Sequence, residues 1–153
     1  LKLRVVWVGK TQQEWVRSGI EDYAARIRRY CPLEIGEARE EKASRDEAMR
    51  ERECERLLKL LPKNARLVLL DEKGTEFTST EFAAFLGRNR DSGVGEVAFA
   101  IGGAYGFSAA FRERAAAVIS LSRMTFTHQM VRVFLLEQLY RGFTILNREP
   151  YHH

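Results

Sequence analysis

Short runs of continuous apolar residues alternate along the chain with longer stretches whose apolar positions recur every three or four residues. The first run, KLRVVWV at Lys2–Val8, is rich in β-branched side chains and predicts a strand covered on both faces. Gly9 ends it. Thr11-Gln-Gln-Glu14 has capping-box spacing, and Val16, Ile20, Tyr23, Ile27 and Tyr30 fall on one face of the helix that follows, which Pro32 closes. Leu33–Ala38 predicts a second strand, and residues 39–45 a polar loop. Ser44-Arg-Asp-Glu47 repeats the capping-box spacing ahead of a second helix, whose buried end carries Leu57, Leu58, Leu60 and Leu61 before Pro62. Its middle, MRERECER, predicts a solvated face laced by pairs four residues apart.

Residues 66–71 (RLVLLD) predict a buried strand that ends on an acid, and EKGTEFTS a turn. Thr78-Ser-Thr-Glu81 is a third capping box, opening a helix through Phe82, Phe85 and Leu86. After a loop at 91–95, VAFAI at 97–101 is another buried strand and runs straight into Gly102-Gly103. Ser108 caps the short helix AAFRERA. Residues 118–121 predict the last strand, 128–143 a long helix, and 147–153 a tail. Strands and helices alternate throughout. The expectation is one α/β domain over 1–153, with a mostly parallel sheet and helices on both faces. In such sheets ligands bind beyond the carboxyl ends of strands. Attention therefore falls on Leu70-Asp71, Ile101-Gly102-Gly103 and Leu121-Ser122.

Composition narrows the classes. Apolar residues make up 45% and charged residues 30% of the 153 positions, the balance of a soluble globular chain. No run approaches the roughly 18–20 apolar residues of a membrane span. The N-terminus shows no signal-peptide pattern, so the cytoplasm is the expected place and no membrane partner is expected. A net charge of +4 leans mildly toward polyanions. Cys31 and Cys54 lack CxxC spacing, which predicts two reduced thiols. His128, His152 and His153 fit no metal-ligand spacing, so no metal is expected.

Gly102-Gly103 after a buried strand allows close approach of a ligand to the backbone, but the GxGxxG and GxxxxGK[ST] patterns are both missing. On the long helix, apolar residues from Met130 to Phe143 occupy more than half the circumference, where a monomer's surface helix buries about a third. Either the helix lies in the middle of the domain or it forms a homodimer interface; the second is the expectation, because helices of a small α/β domain lie outside the sheet. Arg132 shares a face with His128 and is a candidate clamp for phosphate or carboxylate, unless it pairs structurally with Glu137 or a neighbouring acid. The tail residues Tyr151 and His152 are either frayed or delivered to a site, including a partner subunit's.

Together, Ile101-Gly102-Gly103 with Gly106-Phe107-Ser108, the run SLSRMTFTHQMVRVFLLEQLYR ending at Arg141, and Pro150-Tyr151-His152 resemble the SPOUT-class ribosomal RNA large-subunit methyltransferase H family, the pseudouridine N3 methyltransferases. The resemblance covers the whole chain. It implies an α/β fold with a C-terminal trefoil knot, a homodimer, and S-adenosylmethionine held by knot-loop backbone at Leu70, Gly103, Leu121, Ser122, Arg123, Met124, Thr125 and Phe126. It implies a pseudouridine of large-subunit ribosomal RNA, in the assembled ribosome, as substrate. His128, Arg132, Tyr151 and His152 become the catalytic candidates. One departure stands out: His153 occupies the place where the family's tail carries Arg or Lys. The competing readings are a dimeric RNA-binding assembly protein without catalysis, and a nucleotide-binding α/β enzyme of another class.

Overall fold

In the computed structural model, which describes residues 1–42 and 46–153, β1 (Lys2–Val8), β2 (Leu33–Ala38), β3 (Arg66–Glu76), β4 (Glu96–Ile101) and β5 (Ala117–Ser120) form one sheet. Its order is β2-β1-β4-β3-β5, and every pairing is parallel. The connections are α1 (Glu14–Ile27), α2 (Asp46–Lys59), α3 (Ser79–Asp91) and α4 (Ala109–Arg114); α5 (His128–Leu146) follows β5. This is the expected parallel α/β architecture.

Alternation along the strands divides the core in two. Leu3, Val5 and Trp7 of β1, with Val97, Phe99 and Ile101 of β4, face α1, α3 and α5. Val6 and Val8, with Ala98 and Ala100, face α2 and α4. Helices therefore cover both faces. Among the described residues, no helix is long and apolar enough to cross a membrane. Cys31 and Cys54 are free and buried.

Helix α5 packs between α1 and α3, and Leu135, Leu136, Leu139 and Phe143 are buried within the single chain. A Cβ on Gly142 would lie 2.7 Å from Leu86 Cδ1, so the bare α-carbon lets α3 and α5 close on each other. The apolar excess on α5 is thus largely satisfied inside the chain, the alternative that sequence patterning had left open. It does not by itself call for a second copy.

Three local expectations are corrected. Thr11 does not cap α1: the helix starts after Gln13, without a side-chain cap, and the Thr11 hydroxyl instead accepts a hydrogen bond from Arg132. The stretch after Asp71 is not a plain turn. β3 continues to Glu76, and its register against β5 shifts between Leu70 and Thr75, both opposite Ile119. Residues 71–74 form the bulge, and a Cβ on Gly74 would lie 2.7 Å from the Ile119 carbonyl carbon. The charged run on α2 is not simply a solvated face, because Glu53 is only 2% exposed. Arg52 and Arg56 pair with Glu41, outside the helix, rather than along it. The capping box expected at Ser44 lies outside the described residues. The box at Thr78 and Glu81 is formed in both directions.

Candidate active site

The carboxyl ends of β4, β3 and β5 stand side by side, and the loops leaving them enclose a cavity of about 290 Å³. Leu70, Ile101, Leu121, Phe126 and Val131 give it apolar walls; Gly102, Gly103 and Gly106 contribute bare backbone; Asp71 and Glu72 supply carboxylates from the β3 bulge. The loop between β5 and α5 is shaped by its own short polar side chains. Ser120 Oγ donates to the Ser122 carbonyl at 2.8 Å, Ser122 Oγ accepts from the Met124 amide at 3.0 Å, and Thr127 caps α5 by accepting from the Met130 amide at 3.3 Å. This explains a small polar run between an apolar strand and an apolar helix.

Two contacts tie the cavity's rim together. The Thr125 hydroxyl donates to Glu72, and Arg112 of α4 pairs with Asp71. Burial alone would raise the Asp71 carboxyl, but the Lys73 amide and the Arg112 guanidinium outweigh it and hold it below the usual carboxylate range. An apolar slot with backbone at one wall and carboxylates at the rim suits a flat, partly apolar ligand that carries positive charge.

Of the residues singled out in the sequence, Leu70, Gly103, Leu121, Ser122, Met124, Thr125, Phe126 and His128 line this cavity. Arg123 does not; it is exposed and lies 3.5 Å from Glu76. His128 is open to solvent on one side. Partial burial against the wall, then the charge of Arg132, keep its imidazole below the ordinary value, despite a backbone hydrogen bond with Gly102.

Arg132 is placed elsewhere. It is 1% exposed, donates to the Val8 carbonyl at 2.8 Å and to Thr11 Oγ1 at 3.0 Å, and lies 4.9 Å from the centre of the Trp7 ring. Burial lowers its pKa to about 10, against the opposing pull of Glu37 and Glu40. It ties the start of α5 to the end of β1 and does not pair with Glu137, whose partner is Arg141 at 2.9 Å.

Tyr151 and His152 also lie off the cavity wall. They dock on the second half of α5 of their own chain, where Tyr151 packs edge-on against Tyr140 with ring centres 4.7 Å apart. Arg141 organises the cluster: its guanidinium lies 4.7 Å from the centre of the Tyr151 ring, and Nη1 is 3.1 Å from His152 Nδ1. Sequence reasoning passed over Arg141 as a site residue, although it ends the EQLYR run. Between this cluster and the cavity lies a second groove of about 350 Å³, which shares Leu121 and Phe126 with the cavity and is bordered by Glu137.

The family model described as predicted SPOUT methyltransferase matches residues 1–152. The chain belongs to the SPOUT methyltransferase family. SPOUT relatives named ribosomal RNA large subunit methyltransferase H, from Geotalea uraniireducens and Geobacter sulfurreducens, are each 69% identical over 153 residues and are covered, like this chain, from end to end. Solved structures agree in fold. A probable methylase family protein from Haemophilus influenzae superposes with a TM-score of 0.56 at 11% identity, over 99% of this chain and 70% of that one. The SpoU methyltransferase AviRb from Streptomyces viridochromogenes gives 0.50 at 16% identity, over 97% and 61%. At such identities the likeness concerns fold alone.

Proposed function

We propose that this SPOUT chain methylates N3 of a pseudouridine in large-subunit ribosomal RNA, with S-adenosylmethionine as donor, in the cytoplasm and on the assembled ribosome. The observation that carries the reading is the cavity itself. The residues assigned to cofactor binding by family resemblance come from β3, the loop after β4 and the loop after β5, yet all except Arg123 meet at one surface. Two relatives 69% identical over the full chain, both named for large-subunit ribosomal RNA, support the substrate class. The C-terminal part is proposed to be threaded as the family's trefoil knot.

The residues present fit the cofactor. Leu121, Phe126 and Val131 supply apolar faces for an adenine ring, the glycines let main-chain groups reach its polar edges, and Asp71 and Glu72 lie where an ammonium or sulfonium would be favoured. When bound, the cofactor supplies an electrophilic methyl group, whose in-line displacement depends mainly on alignment. The protein's own part is to hold the target base against that methyl and to manage the imide proton. His128 stands at the cavity wall, and its lowered pKa leaves it neutral near pH 7, as a proton acceptor must be. The Arg141, Tyr151 and His152 cluster offers a cation, a ring face and polar ring atoms for a base and its phosphate. Since the tail lines no part of its own chain's cavity, we place it in a homodimer, where one copy's tail completes the other copy's site. Arg132 serves this scheme as a buried brace.

Deleting the gene and mapping ribosomal RNA by mass is the direct test. One methylated pseudouridine should disappear from the large subunit and return on complementation. Purified protein should methylate ribosomes from the deletion strain and leave naked RNA nearly untouched. An unchanged RNA map sinks the proposal.

A further inference from the structure

The acid that sequence patterning places in a solvated charge run is the one that the fold buries. Glu53 sits on α2 with 2% of its surface exposed, directly behind the glycine turn of the cavity. Its Oε2 accepts from the Glu41 amide at 3.2 Å, while Oε1 has no hydrogen-bond partner among the described residues. A Cβ built on Gly103 would stand 2.6 Å from that Oε1, so the carboxyl group fills the space that a side chain on this cavity-wall residue would need. The contact is not isolated. One turn earlier on α2, Arg50 Nε donates to the Tyr105 carbonyl at 2.8 Å, and one residue later Cys54 Sγ accepts from the Ser108 amide at 3.3 Å. Positions 50, 53 and 54 share a helix face, and that face grips the turn at its middle, its start and its end.

A buried carboxyl group with an unpaired oxygen is expensive to keep, and apolar residues of similar size would fill the same space. The turn itself closes on an isolated Gly103–Gly106 bridge, and Gly106 has a φ of 75°. We propose that Glu53 is a positioning residue for the ligand cavity, its carboxyl group setting how far the Gly103 wall stands from the opposing loop after β5. The inference rests on the reading that this cavity holds S-adenosylmethionine. Glu53 touches neither cofactor nor substrate in this scheme. It acts through Gly103, by reach and shape, so it affects how well the cofactor is held and not the transfer step.

Three substitutions separate reach from charge. Glu53→Gln keeps the length and one acceptor oxygen; Glu53→Asp keeps the charge but withdraws the head group by one methylene; Glu53→Ala removes the prop. The readouts are the Kd for S-adenosylhomocysteine by calorimetry and the division between cofactor KM and kcat on ribosomes. Glu53→Gln should match wild type within about twofold, whereas Glu53→Asp and Glu53→Ala should weaken binding and raise KM by about tenfold or more, with kcat changed less than about threefold. Should the alanine variant fail to fold, the Asp and Gln pair still decides. If Asp binds like wild type and Gln does not, charge is what matters and the proposal is overturned. If all three variants bind like wild type, it is overturned as well. Wild-type protein that binds no S-adenosylhomocysteine contradicts the cofactor reading itself, a result distinct from either.

Discussion

Around the cavity the chain offers mostly main-chain atoms and apolar walls, with glycines at 102, 103 and 106 and a loop folded on its own serines. Around the tail it offers side chains: Arg141 over Tyr151, His152 against Arg141, and Glu137 beneath them. The first region is built from loops at the carboxyl ends of three strands. The second depends on the last residues of the chain, which are held by aromatic and ionic contacts and by hydrogen bonds from the Tyr30 hydroxyl to Glu149 and from the Glu149 amide to the Thr144 carbonyl. In the proposed function the first region holds the methyl donor and the second meets the RNA base. The contrast predicts that the two regions can be damaged separately.

Arg141→Ala gives the sharpest separation. Methyl transfer to ribosomes should fall by about 10²–10³-fold, the usual result of removing one oriented charged group from a reacting centre. Cofactor affinity should stay within about twofold, as expected for sites with no shared partner. Steady-state transfer assays and calorimetry on the same preparation check both halves. Equal loss in the two readouts would mean that the regions are one.

Arg132→Ala asks whether that residue belongs to either region. Its guanidinium is enclosed by Val8, Thr11 and Trp7, so the expected loss is stability, about 2–3 kcal/mol, through an unpaired Val8 carbonyl and a void beside Trp7. The melting temperature should drop by about 5–10 °C, while the surviving folded fraction transfers methyl groups at close to the normal rate. A large fall in kcat with an unchanged melting curve would return Arg132 to the reacting centre.

The mildest effect is alkaline loosening of the tail. Burial, then Glu149, raise the Tyr30 phenol to about 12, and burial, then Tyr23 and Glu137, raise Tyr151 to about 12, from an ordinary 10.0. Because the folded values lie above the unfolded ones, this stabilisation is complete below pH 10 and fades as pH climbs from about 10 to about 12. Tyrosinate absorbance, compared among wild type, Tyr30→Phe and Tyr151→Phe, should show two phenols titrating late, one lost in each variant. Both phenols titrating near 10 in the wild type would mean an undocked tail.

Sequence patterning read β1 and β2 to the residue, β1 from an apolar run ended by Gly9 and β2 from a weak alternation between Pro32 and a polar loop. It read the Thr78–Glu81 box correctly and the Thr11–Glu14 box incorrectly, for a reason outside local spacing. Arg132 lies more than a hundred residues away in sequence, yet it takes the Thr11 hydroxyl at 3.0 Å. The bulge after Leu70 was equally hidden, since it depends on which strand β3 meets beyond Asp71. Glu53 looked like its charged neighbours, and only the packing of α2 against the Gly103 turn distinguishes it. The three strand ends that meet at the cavity were legible because ligands of parallel sheets bind beyond the carboxyl ends of strands, whereas the individual loop residues came only from the family resemblance. The partnership of Arg141 with the tail was not legible, since tertiary contact alone creates it.

The most direct test of this division is the calorimetric affinity for S-adenosylhomocysteine of the full chain beside a chain ending at Pro150. Both should bind, with Kd values equal within about twofold, and transfer activity should be lost in the shorter one. Binding that vanishes with the tail, or that is absent from the full chain, would contradict it.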